Sequence, residues 1–301
     1  MKDIDIFGKK ITVDEYLCGP TKESKLKGEP SIRLYIKIND ECNCKCRFCV
    51  NQNNCDYGKI DFKRLEYVIR YLVDGKVLHS IGITGGEPML FPDKLNKLVN
   101  LIYHIDPEIE VQINTNGTNL LEFLNFDNIN KLESIHISRH HYNDNINNYI
   151  FGCNNIAKSS DIMKLQENLF DKKIININTM VMKNYIDSLQ EIKKMLNYVG
   201  DIGVYKNGFV SLIKCNKYAK ENFINFNNIF NNLDLNFYLG HHFYKHNDCE
   251  CIDGVYLTNN YKLVEFYARM IKNSISNYTN CLVYTTDNRL TDGFTNKVLY
   301  K

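Results

Sequence analysis

From residue 31 onward the apolar and polar positions fall into a regular rhythm. Ser31 to Ile38 alternates and then runs apolar, which predicts a strand. Asp61 to Asp74 places Phe62, Leu65, Val68, Ile69 and Leu72 at helical spacing. Val77 to Thr84 is a second strand and Pro92 to His104 a second helix. Strands follow at Glu108 to Thr115, Leu132 to Ser138, Lys173 to Met182 and Phe209 to Cys215. Between them lie a short helix near Leu120 to Phe126, mixed helix and loop over Asn145 to Phe170, and a helix from Tyr185 to Val199. Strands alternating with helices predict a parallel sheet with helical crossovers. Six such units predict an α/β fold, a partial (β/α)6 TIM-like barrel over residues 31–215. Residues 1–30 are polar and weakly patterned and read as an N-terminal extension. Residues 216–301 read as a small C-terminal α+β extension. It holds one helix candidate, Asn222 to Leu233, and short strand-like runs at Leu235 to Leu239, Val255 to Thr258, Leu263 to Ile271 and Cys281 to Thr286.

Composition narrows the function classes. With 37 Lys and Arg against 35 Asp and Glu, the net charge of +2 argues against a basic nucleic-acid-binding surface. No apolar run approaches the roughly 18 residues of a membrane span, and the start, MKDIDIFGKK, has no apolar signal region. A cytoplasmic protein is expected. Eleven cysteines in a reducing compartment then point to metal binding or catalysis. The 41 asparagines are spread along the whole chain and read as compositional bias.

The chemistry concentrates directly after the first strand, in Cys42-Asn-Cys44-Lys-Cys46-Arg-Phe48-Cys49. Cys42, Cys46 and Cys49 form a C-x3-C-x2-C set. Three thiolates on one loop can ligate three irons of a cubane cluster and leave the fourth iron open to a ligand. The loop sits at the C-terminal end of a strand, the catalytic end of barrel-like α/β sheets. The alternative is a structural zinc or iron–sulfur site using Cys44 as well, in a binding module without turnover.

C-x3-C-x-aromatic-C after a first strand resembles the radical S-adenosylmethionine (SAM) superfamily. The resemblance extends to Gly85-Gly86-Glu87-Pro88 after the second strand and Thr115-Asn116-Gly117 after the third. It continues with Ser138 ending the fourth strand and Ile177-Asn178-Thr179-Met180 in the fifth. In pattern the chain is similar to the branch containing the molybdenum-cofactor GTP cyclase and the SPASM/twitch-type maturases, although its tail cysteines are spaced differently from that cyclase's. The resemblance implies a [4Fe-4S] cluster on Cys42, Cys46 and Cys49. It implies SAM bound against Phe48, Gly85, Gly86, Glu87, Thr115, Asn116, Ser138 and Asn178. One-electron reduction of the cluster would cleave SAM and yield a 5′-deoxyadenosyl radical, with ferredoxin or flavodoxin as the low-potential donor.

Other residues carry weaker expectations. Cys215, Cys249, Cys251 and Cys281 could ligate a second cluster, or pack as buried thiols. Cys215 alone, at the mouth of the sixth strand, could instead return a hydrogen atom to a substrate radical. His242, His246, Cys249 and Cys251 could bind zinc, or form a polar loop. Arg139, His140, His141 and Tyr142 could hold the substrate or form an exposed polar loop. The expected substrate is a small molecule or nucleotide; the alternative is a maturase acting on a ribosomally made peptide. Only about 30 residues precede the first strand, which favours the small molecule.

Overall fold

The computed structural model describes residues 2–13, 32–51, 58–169, 174–226, 229, 256–257, 263–267, 281–293 and 297–301. Cys18, Cys55, Cys249, Cys251, His242 and His246 lie outside the described residues, as do the strand expected at 235–239 and half of the helix expected at 222–233.

The predicted alternation is present. β3 (Ile32–Lys37), β4 (Leu78–Thr84), β5 (Glu110–Thr115), β6 (Ser134–Ser138), β7 (Ile175–Val181) and β8 (Lys206–Ser211) pair in that order, all parallel. The crossovers carry α1 (Phe62–Asp74), α2 (Pro92–Ile105), α3 (Asp144–Phe151), α4 (Ser159–Asn168) and α5 (Leu189–Asp201). Helix starts follow side-chain caps. Asp61 accepts from the backbone of Lys63 and Arg64 at α1. Ser188 accepts from Glu191 N at α5, so that helix begins four residues after the expected Tyr185.

The tail adds strands to both edges of this sheet. β10 (Leu263–Tyr267) runs parallel to β8, and β11 (Cys281–Tyr284) runs parallel to β3. Short antiparallel strands flank them: β9 (Tyr256–Leu257) on one side, β12 (Leu290–Thr291) and β13 (Val298–Tyr300) on the other. Eight parallel strands are therefore found among the described residues, six from the predicted units and two from the tail.

Residues 2–13 are more regular than their polarity suggested. β1 (Lys2–Ile6) and β2 (Lys9–Val13) form an antiparallel hairpin whose two-residue turn, Phe7-Gly8, has positive φ at both positions. Phe7 is an uncommon residue for that conformation. Its ring stacks on Tyr71 and Tyr300, which holds it there.

Side-chain alternation assigns two unlike faces to the sheet, because paired residues of neighbouring strands share a face. Ile32, Leu34, Ile36, Ile81, Ile83, Val111, Ile113, Ile135, Ile137, Ile175 and Ile177 are fully or almost fully buried, in one core with the apolar stripes of the helices. The opposite face carries Lys37, Gln112, Asn114, His136, Ser138 and Asn178, all half-buried.

Leu34 sits at the centre of β3 with no exposure. Leu34→Ala is expected to lower the unfolding free energy by about 2–5 kcal/mol, read from urea denaturation, because it opens a cavity in the main core.

Candidate active site

The cysteine loop leaves the end of β3 and is fastened at once to the loop after β4. Ile38 N donates to Thr84 O, Gly86 N to Asn39 O and Glu87 N to Glu41 O, the last at 2.7 Å. The Asn39 side chain returns a bond to Glu87 O at 2.9 Å. The two backbones lie so close that a Cβ on Gly86 would overlap the Glu41 carbonyl, and one on Gly85 the Asn39 carbonyl. Gly85 also has φ +151°. The paired glycines are therefore required by the close approach of the two loops.

Glu87 is 2% exposed and its carboxylate points toward β5. It accepts from Thr115 Oγ1 at 2.5 Å, Asn116 N at 2.6 Å and Met89 N at 2.9 Å. Burial outweighs these bonds and raises its pKa to about 7. The carboxylate is thus an internal tie between strand ends, and the segment's contact with the cysteine loop is made by backbone. Gly85 O accepts from Asn51 Nδ2 at 3.2 Å.

Asn116 completes the circuit. Its amide donates to Asn43 Oδ1 at 3.0 Å and to Cys44 Sγ at 3.1 Å, while its Oδ1 accepts from Thr118. Asn43 in turn donates to Thr118 Oγ1, Cys153 Sγ and Asn155 O. Sequence reasoning missed Asn43, Thr118 and Cys153. An asparagine inside the cysteine motif was the available signal, and it was hidden among 40 others.

Cys42, Cys46 and Cys49 are all free thiols. A turn brings Cys49 N onto Cys46 O, and backbone N–H groups of Cys44 and Asn51 point at the sulfurs of Cys42 and Cys49. The Cys44 thiol, hydrogen-bonded to Cys42, lowers the Cys42 pKa to about 6 and is itself raised. Burial and the neighbouring thiols push Cys46 and Cys49 up. Crowded sulfurs without a countercharge resist ionisation together, and a cationic iron core would relieve that. This donor set fits a thiolate-bound cluster. Among the described residues no three His, Cys, Asp or Glu side chains converge on one point as ligands of a single ion do. Ligands to separate irons of a cubane are held further apart.

Phe48 belongs to a second, smaller core with Ile150, Met182, Leu212 and Ala219. His140 stacks on Phe151 and meets Phe48 edge-on, with ring centroids 4.6 and 5.2 Å apart. Its Nδ1 accepts from Met180 N at 3.2 Å, and its own N–H is held by Asn147. His140 therefore props the aromatic beside the cysteine loop. Ser138 and Asn178 are paired across β6 and β7 on the half-buried polar face, and Asn178 Nδ2 lies 3.1 Å from His136 Nδ1.

Three expectations are corrected. The loop after β6 is not an exposed polar loop: Arg139, His140 and His141 are 1, 4 and 5% exposed. Arg139 is no substrate clamp, because its guanidinium pairs with Asp144, reaches the Ala157 and Tyr142 carbonyls and Ser159, and lies over the Tyr198 ring. The sixth strand ends at Ser211, where β7 also ends, so Cys215 falls in the following loop, exposed, with Sγ 3.8 Å from Phe48 O. Cys281 pairs with Arg33 at the N-terminal end of β3, is buried, and has its pKa raised to about 11 by that burial. Cys215 lies beyond the C-terminal end of a strand five places along the sheet from β3. One cluster cannot be ligated by both.

The comparisons agree with this geometry. A model of the radical SAM superfamily matches residues 36–199, more than half of the chain, and the chain belongs to that superfamily of enzymes. A GTP 3',8-cyclase of Rhodopirellula baltica is 31% identical over 88 residues, 28% of this chain and 24% of that protein. A protein of Methanocaldococcus jannaschii named as a glycyl-radical enzyme activating enzyme is 29% identical over 192 residues, 59% of this chain and 70% of that one. The structure of Streptococcus suis SuiB bound to S-adenosylmethionine shares the fold, with a TM-score of 0.60 at 14% identity over 89% of this chain and 63% of SuiB. The chain thus spans about a quarter of the cyclase's length and under two thirds of SuiB's. Membership of the family implies a [4Fe-4S] cluster and SAM.

Two predictions follow from the buried charges. Glu87 has a folded-state pKa above its unfolded value, so its contribution to stability is full below about pH 4.3 and is lost as pH rises through about 7. Urea midpoints of the metal-free protein at pH 5 and 8 should therefore differ more in the wild type than in Glu87→Gln. Arg139→Ala should cost roughly 1.5–3 kcal/mol in the same assay, because Asp144 and two carbonyls lose a charged donor.

Proposed function

We propose that the chain holds a [4Fe-4S] cluster on Cys42, Cys46 and Cys49, binds S-adenosylmethionine beside it, and takes hydrogen from a polar small molecule or nucleotide. One observation carries this reading: three free thiols on the loop after β3, fastened by backbone to the Gly85–Glu87 segment. When bound, these cofactors supply one-electron cleavage of SAM and a carbon radical able to attack an unactivated C–H bond.

The chain's own residues supply placement. Gly85 and Gly86 bring backbone to the cysteine loop with no side chain in the way, so an amino group could be bound there by carbonyls. Phe48, propped by His140, offers an aromatic wall for an adenine. Ser138 and Asn178 offer polar groups at adjoining strand ends. Gln112, Asn114 and His136 continue that polar surface along β5 and β6, and a ligand with several hydrogen-bonding groups fits it better than an apolar one. A radical this reactive needs its target carbon held in near contact, which groups on several rigid strands can do. Cys215, exposed beside the Phe48 carbonyl, would return a hydrogen atom.

The test is the variant with Cys42, Cys46 and Cys49 all replaced by Ala. Anaerobically reconstituted wild-type protein should carry about four irons and release 5′-deoxyadenosine from SAM under reduction. The variant should fold, carry almost no iron and release none. Zinc without iron in the reconstituted wild type would overturn the proposal.

A further inference from the structure

The turn between β11 and β12, Thr285–Arg289, grips both arms of the segment that carries the cysteine trio. Because β11 runs parallel to β3, with Tyr284 paired to Ile36, this turn falls at the end of the sheet from which the cysteine loop leaves. It is closed on itself: Thr285 N donates to Arg289 O and Asn288 N to Thr285 O, both at 2.9 Å. On the near arm, Thr286 Oγ1 donates to the carboxylate of Asp40, which lies shortly before Cys42. That carboxylate is also paired with Lys37 Nζ at 3.1 Å, and the Asp40 side chain is only 4% exposed. On the far arm, Asn288 Oδ1 accepts from Asp61 N at 2.7 Å and its Nδ2 donates to Lys59 O at 2.9 Å. The backbone of Gly58 comes so close that a Cβ there would overlap the Thr286 carbonyl. Asn288 makes both bonds from a left-handed conformation, φ +63°, with Tyr284 OH donating to its Oδ1 at 3.2 Å. A hairpin needs only its own turn bonds. The bonds to Asp40, Lys59 and Asp61 add nothing to it; they fix where the cysteine segment leaves β3 and where it enters α1.

We propose that this turn is a clasp that positions the thiol loop for its metal, with Thr286 and Asn288 as the positioning residues. The inference rests on the cluster assignment above: Cys42, Cys46 and Cys49 must meet irons of one cubane at fixed spacing. Residues 39–41 are already fastened on one side to residues 86–87. Thr286 holds Asp40 by its side chain as well, so the approach to Cys42 is fixed by two separate elements. Asn288 fixes the return of the chain into α1. Together they set the span across which the thiols are presented. Neither is hydrogen-bonded to a sulfur of the trio; they act through Asp40 and through the backbone of residues 59–61.

The experiment follows the metal site rather than turnover, in the reconstituted full chain. Thr286→Val removes the hydroxyl at nearly equal volume. Asn288→Gly, the second variant, removes the side-chain bonds while the left-handed turn stays accessible. Each should lose iron to a chelator about tenfold faster than wild type under anaerobic conditions, the scale of a lost hydrogen bond to a buried group. The electron paramagnetic resonance signal of the reduced protein should change shape, because the thiolates are less uniquely placed. Thr286→Ser, which keeps the hydroxyl, should return both readouts to near the wild-type values. Thr291→Val is the matched control: its hydroxyl is buried in the same hairpin, 3.3 Å from Val283 O, so the change disturbs the hairpin without touching the clasp. It should leave iron release and the signal unchanged. Wild-type iron release and signal in both clasp variants would overturn the proposal, as would equal acceleration in Thr291→Val or no rescue by Thr286→Ser. A wild-type chain that takes up no iron on reconstitution would instead overturn the cluster assignment.

Discussion

The site depends on one short run of backbone hydrogen bonds, between residues 39–41 and residues 86–87. It turns two neighbouring strand ends into a single rigid edge. The cysteine loop takes its course from that edge, and so does the carboxylate of Glu87. From Glu87 the network passes to Thr115 and Asn116, and from Asn116 back to Asn43 within the cysteine motif. The ends of β3, β4 and β5 are thereby closed into a ring of hydrogen bonds. A thiol loop that must hold sulfurs at fixed spacing gains its rigidity from this ring, since a loop of this length has little core of its own.

A second constraint comes from packing. Phe48 is not part of the main core under the helices. It joins a small cluster with residues of α3, of the loop that follows β7, of the segment after β8 and of α6 (Lys217–Glu221). One side of the cysteine loop is tied by hydrogen bonds to β4 and β5, and the other is held by apolar contact to later parts of the chain. The two anchors differ in kind. The first sets register and admits only glycine at its closest points, while the second tolerates change in volume more readily.

Much of this was legible in the sequence, for identifiable reasons. The six strand–helix units announced themselves because each strand and helix has a clear apolar period, and the cysteine spacing because a loop with three thiolates has few other uses. What stayed hidden depended on long-range pairing. Nothing local says that Cys281 begins a strand beside β3, or that Cys215 and Cys281 fall at opposite ends of the parallel strands. Arg139 looked like a ligand-binding group because its partner, Asp144, and the aromatic beneath it, Tyr198, come from α3 and α5. The hairpin at residues 2–13 escaped because its turn places Phe7 where glycine or asparagine is the usual sign.

The strands carry one further message in their alternation. Parallel strands buried on both faces read as continuous apolar runs, and a closed eight-stranded barrel fills its interior with layers of Val, Ile and Leu. Here β3, β5, β6 and much of β7 alternate instead, with isoleucine and valine toward the helices and Lys, Gln, Asn, His and Ser on the other face. Lys37, Gln112, Asn114, His136, Ser138 and Asn178 are half-buried, while Ser134 and Asn176 on the same face are buried. Asn114 Nδ2 lies 3.5 Å from Ile83 O, and His136 is held by Ser134 and Asn178. Hydrogen-bonding capacity arrayed on rigid strands, beside the thiol loop and open to water, is the surface on which a polar ligand gains most from binding, because it replaces water bond for bond. The same alternation that makes these strands readable in sequence therefore leaves one face of the sheet polar.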